Sequence, residues 1–162
     1  MRMKRIVYMF LLSLLLVSCG TRSGYFKMEG RFLHINQGEL YVYSPDGGIK
    51  GVDTIKVETG RFSYEIPCSR SATLVIVFPN YSTQPIFAES GEAVEVKADA
   101  SHLKEMEVEG TEANELMTKF RKQIASVAPP QELKYAIQFI KDHPESPVSA
   151  YLLNRYLIQT ES

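Results

Sequence analysis

The period of the chain changes once, near Gly110. Before it, apolar residues recur mainly at every second position; from Thr111 onward they recur at the three-to-four spacing of a helix. A chain that alternates first and coils afterwards has few architectures open to it. The reading is α+β: a β domain over residues 25–110, then a helical segment over 111–162 that packs on it.

Within the first part, Phe26, Met28 and Arg31–Ile35 read as an opening strand and Glu39–Tyr43 as a second, closed by the turn residues Ser44-Pro-Asp-Gly-Gly48. Ile55 and Val57 share one face of Thr54–Glu58, and Phe62, Tyr64 and Ile66 share one face of the next run. Thr59-Gly60 between them predicts a hairpin. Thr73–Phe78 is continuously apolar and reads as a strand buried on both faces. Pro85–Ala88, Ala93–Lys97 and Glu105–Glu109 complete a set of about eight short strands, which predicts an antiparallel β-sandwich or a partly open barrel.

The second part carries helix punctuation. Thr111 stands where an N-cap is wanted, ahead of a stripe of Ala113, Leu116, Phe120 and Ile124. Ala128-Pro129-Pro130 ends that helix. A second helix follows, with Leu133, Ala136, Ile137 and Ile140 on one face, and stops at His143-Pro144. Ser146-Pro147 supplies an N-cap and a first-turn proline for a third helix, containing Val148, Tyr151, Leu152 and Tyr156.

Residues 1–18 have the form of a signal peptide. Met-Arg-Met-Lys-Arg is a basic start, and Ile6–Val17 is an apolar run interrupted by Ser13. Twelve helical residues rise about 18 Å, well short of the roughly 30 Å hydrocarbon core. Leu16-Val17-Ser18-Cys19 resembles the lipobox of bacterial lipoproteins: cleavage would follow Ser18 and Cys19 would carry the lipid chains. Residues 19–24 then read as the anchored cysteine and a flexible polar tether. Gly20 is not the aspartate of an inner-membrane retention signal, and no acid occurs before Glu29. By that resemblance the expected location is the periplasmic face of the outer membrane.

The near-neutral balance of 18 basic and 19 acidic residues hides an acidic module. Residues 1–18 hold three of the basic groups, so the remainder carries 15 against 19. A nucleic-acid partner is not expected from that balance. His34, His102 and His143 fall in separate elements without metal-ligand spacing, so neither a metal nor another cofactor is expected. Asp46-Gly47-Gly48 lacks the following Gly-Lys-Ser/Thr of a phosphate loop. Glu105, Glu107, Glu109, Glu112 and Glu115 read as a solvated edge. Cys68 reads as a small core residue. Tyr41 and Tyr43, flanking Val42 on the opposite face, and the later residues Tyr151, Leu152, Tyr156 and Leu157 are the candidates for partner contact.

Distributed features carry a resemblance. They are Gly30-Arg31-Phe32, Asp53-Thr54, Gly60-Arg61-Phe62-Ser63-Tyr64, Pro85-Ile86-Phe87 with Gly91, and Val108-Glu109-Gly110 with Thr111 and Asn114. Phe139-Ile140 and His143-Pro144-Glu145-Ser146-Pro147-Val148-Ser149-Ala150-Tyr151-Leu152 extend it. In this order the chain resembles the N-terminal domain of unknown function found on lipid-anchored or secreted thiol-disulfide oxidoreductases with a C-terminal thioredoxin-like domain. The chemistry of that family belongs to the C-x-x-C pair of the thioredoxin-like part, and this sequence has no C-x-x-C. The expectation is therefore a lipid-anchored accessory module, not an enzyme, that binds or positions another periplasmic component. Two alternatives stay open: a docking subunit for a separately encoded thioredoxin-like protein, and a truncated remnant of a longer oxidoreductase.

Overall fold

The computed structural model describes residues 21–158, so the lipobox residues Leu16, Val17, Ser18 and Cys19 lie outside the described residues. Eight strands come first: β1 (Tyr25–Leu33), β2 (Gln37–Tyr43), β3 (Val52–Glu58), β4 (Arg61–Pro67), β5 (Ala72–Val77), β6 (Thr83–Ala88), β7 (Ala93–Asp99) and β8 (Glu107–Glu109). Three helices follow: α1 (Glu112–Ile124), α2 (Pro129–Asp142) and α3 (Pro147–Leu153), the last continuing into a π-helical turn over Asn154–Ile158. The α+β division and the order of elements match the expectation from periodicity. Among the described residues, no helix is long and apolar enough to cross a membrane.

All eight strands form one sheet in the order β6-β5-β2-β3-β4-β1-β7-β8, curled nearly into a closed barrel. Period-2 alternation explains the curl: each strand sends one face inward, and Phe26, Leu40, Ile55, Phe62, Leu74, Ile86, Val96 and Val108, one from each strand, meet in a single core cluster. Each such side chain contributes about 1.5–3 kcal/mol when fully buried. The pairings are antiparallel except one, since β1 runs parallel to β7, with Gly30 opposite Val96. The sheet is therefore mixed. Alternation tells which face of a strand is buried but not which strand lies beside it.

The β3–β4 hairpin forms where expected, with Glu58 opposite Arg61 across Thr59-Gly60. Both turn residues have positive φ, 51° and 72°, as a two-residue hairpin of the mirror-image kind demands. Gly60 adopts this freely, whereas β-branched Thr59 is strained there. Thr59→Asn should accordingly stabilise the protein by about 1 kcal/mol, seen as a higher urea midpoint with an unchanged slope. An unchanged or lower midpoint would show that the strain at Thr59 is negligible.

The residues just ahead of β1 touch the barrel surface. Thr21 Oγ1 and Arg22 Nη2 both donate to the Glu65 carboxylate, each at 3.1 Å, and the Arg22 guanidinium lies 3.6 Å from the centre of the Tyr25 ring. Opposite charge and a cation over an aromatic face explain the contact.

Candidate functional site

The sheet has two edges, β6 and β8, and α1 lies across the gap between them. A strand edge leaves every second residue's amide and carbonyl without a ladder partner, and burying those groups unpaired is costly. Three polar side chains of α1 supply the partners. Asn114 accepts from the Phe87 amide of β6 at 3.0 Å and donates to the Phe87 carbonyl at 2.7 Å. Thr118 does the same for Val108 of β8, accepting from its amide at 2.9 Å and donating to its carbonyl at 3.1 Å. Arg121 Nε donates to the Met106 carbonyl at 2.9 Å. Spacings of four and three residues put all three on one stripe of the helix, and all three are buried. The helix thus takes the place of missing rungs and seals the barrel along its seam.

A second apolar core fills the space between this seam and the other helices. Phe87, whose neighbours Ile86 and Ala88 point into the barrel, points outward to meet Met117, Phe120, Phe139, Val148 and Leu152. Edge-to-face aromatic pairs, Phe120 with Phe139 at 5.6 Å and Phe87 with Tyr151 at 6.2 Å, tie α1, α2, α3 and β6 together.

Where this core meets the seam there is a cavity of about 70 Å³. Its polar lining is Thr83, Gln84, Lys104, Arg121, Glu132, Arg155 and the two tyrosines Tyr151 and Tyr156. Two small networks run along it: Lys104 Nζ and the Tyr156 hydroxyl both donate to the Glu132 carboxylate, at 2.8 and 3.1 Å, and Arg155 Nη1 donates to the Tyr151 hydroxyl at 3.2 Å. Arg121 stands apart from both. Its Nη1 and Nη2 are buried and have no hydrogen-bond partner, and no described carboxylate pairs with the guanidinium. Burial pushes its pKa down to about 10, so it stays charged at neutral pH.

The sequence candidates fall in different places. Tyr151 and Tyr156 line the cavity, half-buried, and Leu157 is half-buried in the π-helical turn behind them. Leu152 does not face a partner as expected. It is fully buried, because together with Val148 it inserts from α3 into the helical core. Tyr41 is 53% exposed on the outside of β2 and Tyr43 is half-buried, while Val42 between them is fully buried in the barrel.

Thr111 occupies the N-cap position, but its hydroxyl accepts from the Asn114 amide at 2.8 Å instead of from a backbone N–H. Ser146 caps α3 as expected, accepting from the Val148 amide at 3.3 Å. Cys68 is buried, and burial first, then the nearby Glu89, raises its thiol pKa, which is the opposite of activation.

The structure also brings together two histidines that sequence separation hides. Asp99 takes His34 Nδ1 at 2.7 Å on one oxygen and His102 Nδ1 at 3.7 Å on the other. The Ser101 amide and then His34 hold the Asp99 carboxyl well below the usual carboxylate range. Ser101 Oγ meets the same His34 nitrogen, at 3.2 Å, so aspartate and serine do not stand on opposite sides of the ring as in a nucleophile relay. No group of three or more His, Cys, Asp or Glu among the described residues is arranged to hold a metal ion. In the acidic run, Glu107 pairs with Lys122 and Glu109 with Lys97. An open groove of about 580 Å³ nearby carries Glu89, Glu92, Glu112 and Glu145 beside His143.

The sealing role of the seam residues is not visible in the sequence, where Asn114 figures only in the resemblance and Thr118 and Arg121 look like solvated helix positions. The signal available was the spacing of Asn114, Thr118 and Arg121 beside the apolar stripe, which gives α1 a buried face too wide for its apolar residues alone.

No curated protein matches the chain. Among solved structures, a "putative cell adhesion protein" from Bacteroides ovatus ATCC 8483 is similar at a TM-score of 0.32 and 13% identity, covering 56% of this chain and 44% of that one. That likeness is too slight to carry fold or function. The family model for a domain of unknown function, DUF4369, matches residues 26–117, more than half of the sequence and nearly the whole barrel with the first half of α1, and the chain belongs to that family.

Proposed function

We propose that this protein is a lipid-anchored module of the bacterial cell envelope that binds or positions another envelope component and performs no catalysis of its own. The observation that carries this reading is the sequence Leu16-Val17-Ser18-Cys19 at the end of a basic-then-apolar leader. Only a few residues separate Cys19 from β1, and Thr21 and Arg22 already lean on β4. A barrel so tethered would stand close to the bilayer surface. Several acyl chains hold durably where one does not, since each buried CH₂ contributes about 0.8 kcal/mol. The periplasmic leaflet of the outer membrane is the proposed site, from the absence of aspartate at position 20.

Cys19→Ala tests this. The variant should lose all acylation and move from the membrane fraction to the soluble one, read by mass spectrometry and fractionation. An unmodified Cys19 in the wild-type protein would overturn the proposal.

A second reading is that the chain docks a separately encoded thioredoxin-like protein through its C-terminal end. The observation favouring it is that Leu153 is 41% exposed and Ile158 59% exposed beside half-buried Leu157. Isolated apolar exposure is ordinary, but three such residues within one short segment are more than a single stray side chain. Mild crosslinking in envelope preparations should capture a thioredoxin-like partner that Leu153→Lys with Ile158→Lys no longer captures; recovery of none from the wild type would sink this reading.

A further inference from the structure

We propose that the seam cavity is a binding site for a small organic carboxylate, held by the free end of the Arg121 guanidinium. This stands apart from anchoring, since every residue involved belongs to the barrel–helix junction. The argument begins with charge. Arg121 and Arg155 line the same small space, and among the described residues neither pairs with a carboxylate. The acid that also lines it, Glu132, is already engaged by Lys104 and Tyr156. Arg155 is exposed at the rim, where water screens it, so the one buried charge that lines the cavity without a counter-ion is that of Arg121. Ordered waters would satisfy the orphaned N–H groups but would leave that charge uncompensated in a medium poorer than water at screening it.

Geometry then selects the kind of anion. Nε of Arg121 is committed to the Met106 carbonyl, which fixes the guanidinium; Nη1 and Nη2 are a planar pair of donors without a partner, closed off from water, so a ligand would reach them only as the lining side chains move aside. A planar carboxylate meets such a pair through two parallel hydrogen bonds. The remaining wall is apolar, with Met117, Phe120, Ile124 and Leu152, so a ligand with a charged head and a short hydrocarbon body suits it. Inorganic phosphate has no apolar part, and a dianion would face the Glu132 carboxylate across the same space. A volume near 70 Å³ limits the body to a few carbons. Acetate and propionate are the natural probes.

The test uses the full-length protein in non-ionic detergent, with acetate or propionate titrated against sodium chloride at matched ionic strength. The Arg121 Nε–H resonance should shift saturably with either carboxylate and remain still in chloride, and the thermal midpoint should rise with the same dependence. Arg155→Gln, at the rim of the cavity, should weaken the apparent affinity several-fold, and Arg121→Met should abolish the response. Should Arg121→Met fail to fold, the wild-type resonance and Arg155→Gln still decide the matter. Equal responses to acetate and chloride would overturn the proposal, as would saturation by inorganic phosphate with none by acetate. A crystal structure grown in acetate that showed only waters against Arg121 would do the same.

Discussion

Asn114→Ala should lower the unfolding free energy by about 3 kcal/mol, read from urea titrations of the full-length protein. The residue has no solvent exposure and makes three hydrogen bonds: two with the amide and carbonyl of Phe87 and one with Thr111 Oγ1. Alanine removes the partners but leaves the Phe87 groups in place, turned away from β5 and under α1. An orphaned buried backbone group costs about 1–3 kcal/mol, considerably more than the net worth of an average hydrogen bond. The cost is that of opening one side of the seam. Amide exchange should report it locally, with Phe87 losing protection while interior barrel amides keep theirs relative to the new global stability. Thr118→Val is the companion on the other edge: it keeps the shape, removes both hydrogen bonds to Val108, and should cost about 2 kcal/mol. Losses under about 1 kcal/mol at both sites would mean that water replaces the helix easily there, and that the seam is not what closes the barrel.

How much of this was legible in the sequence depends on whether the partners were local. The hairpin from Val52 to Pro67 could be read because its two faces and its turn lie within sixteen neighbouring residues. The helices could be read for a similar reason: Pro129 and Ser146-Pro147 are local stop and start signals, and α2 and α3 begin where these fall. The parallel pairing of β1 with β7 could not, because nothing in the alternation of Phe26 and Met28 tells them apart from any other inward pair. Polar residues of the helices misled in the same way. Glu132 is buried against Lys104 and Tyr156, while Leu133 and Ile137, placed on the inner face by periodicity, are half-buried. The true inward stripe of α2 is Glu132, Ala136 and Phe139, rotated by about one residue, and a carboxylate at its head disguises it. Tyr151 and Tyr156 attracted notice as aromatic residues near the end of the chain, and they do line the cavity. The residue that gives the cavity its chemistry, Arg121, was hidden because its meaning comes from the absence of a partner in three dimensions.

The seam and the interior glycine of β1 solve two halves of one problem: a sheet of only eight strands must curl tightly to bring its edges under a single helix. A helix rises about 10 Å over the seven steps from Asn114 to Arg121, and that span has to meet groups on both edges. A sheet that curls this far must coil, and coiling is what brings β6 and β8 within reach of one helix. Inward positions without side chains permit such coiling, because the backbone of the next strand can then move into the vacated space.

Gly30→Ala should therefore destabilise the protein by about 3 kcal/mol or prevent it from folding, a cost at the upper end for overpacking. Gly30 occupies an inward position of β1, between Met28 and Phe32, opposite Phe62 of β4 and Val96 of β7. A methyl group there would lie 1.9 Å from the Val96 carbonyl oxygen, with the carbon and nitrogen of the same residue within 3.0 Å. These are backbone atoms held in the β1–β7 pairing, so no side-chain rotation relieves the clash. Relief requires β7 to draw back from β1, and β7 carries β8; Val108 of β8 and Met106 just ahead of it are the groups that Thr118 and Arg121 hold. The strain at one glycine is thus transmitted to the seam. In a soluble, folded Gly30→Ala variant, the Val108 amide should exchange faster than in the wild type, beyond what the fall in global stability explains. The Phe62 and Phe32 rings, stacked at 5.0 Å, should shift in resonance because they pack beside the same strand. A variant as stable as the wild type, with Val108 equally protected, would show that β1 and β7 have slack enough to part without disturbing the closure.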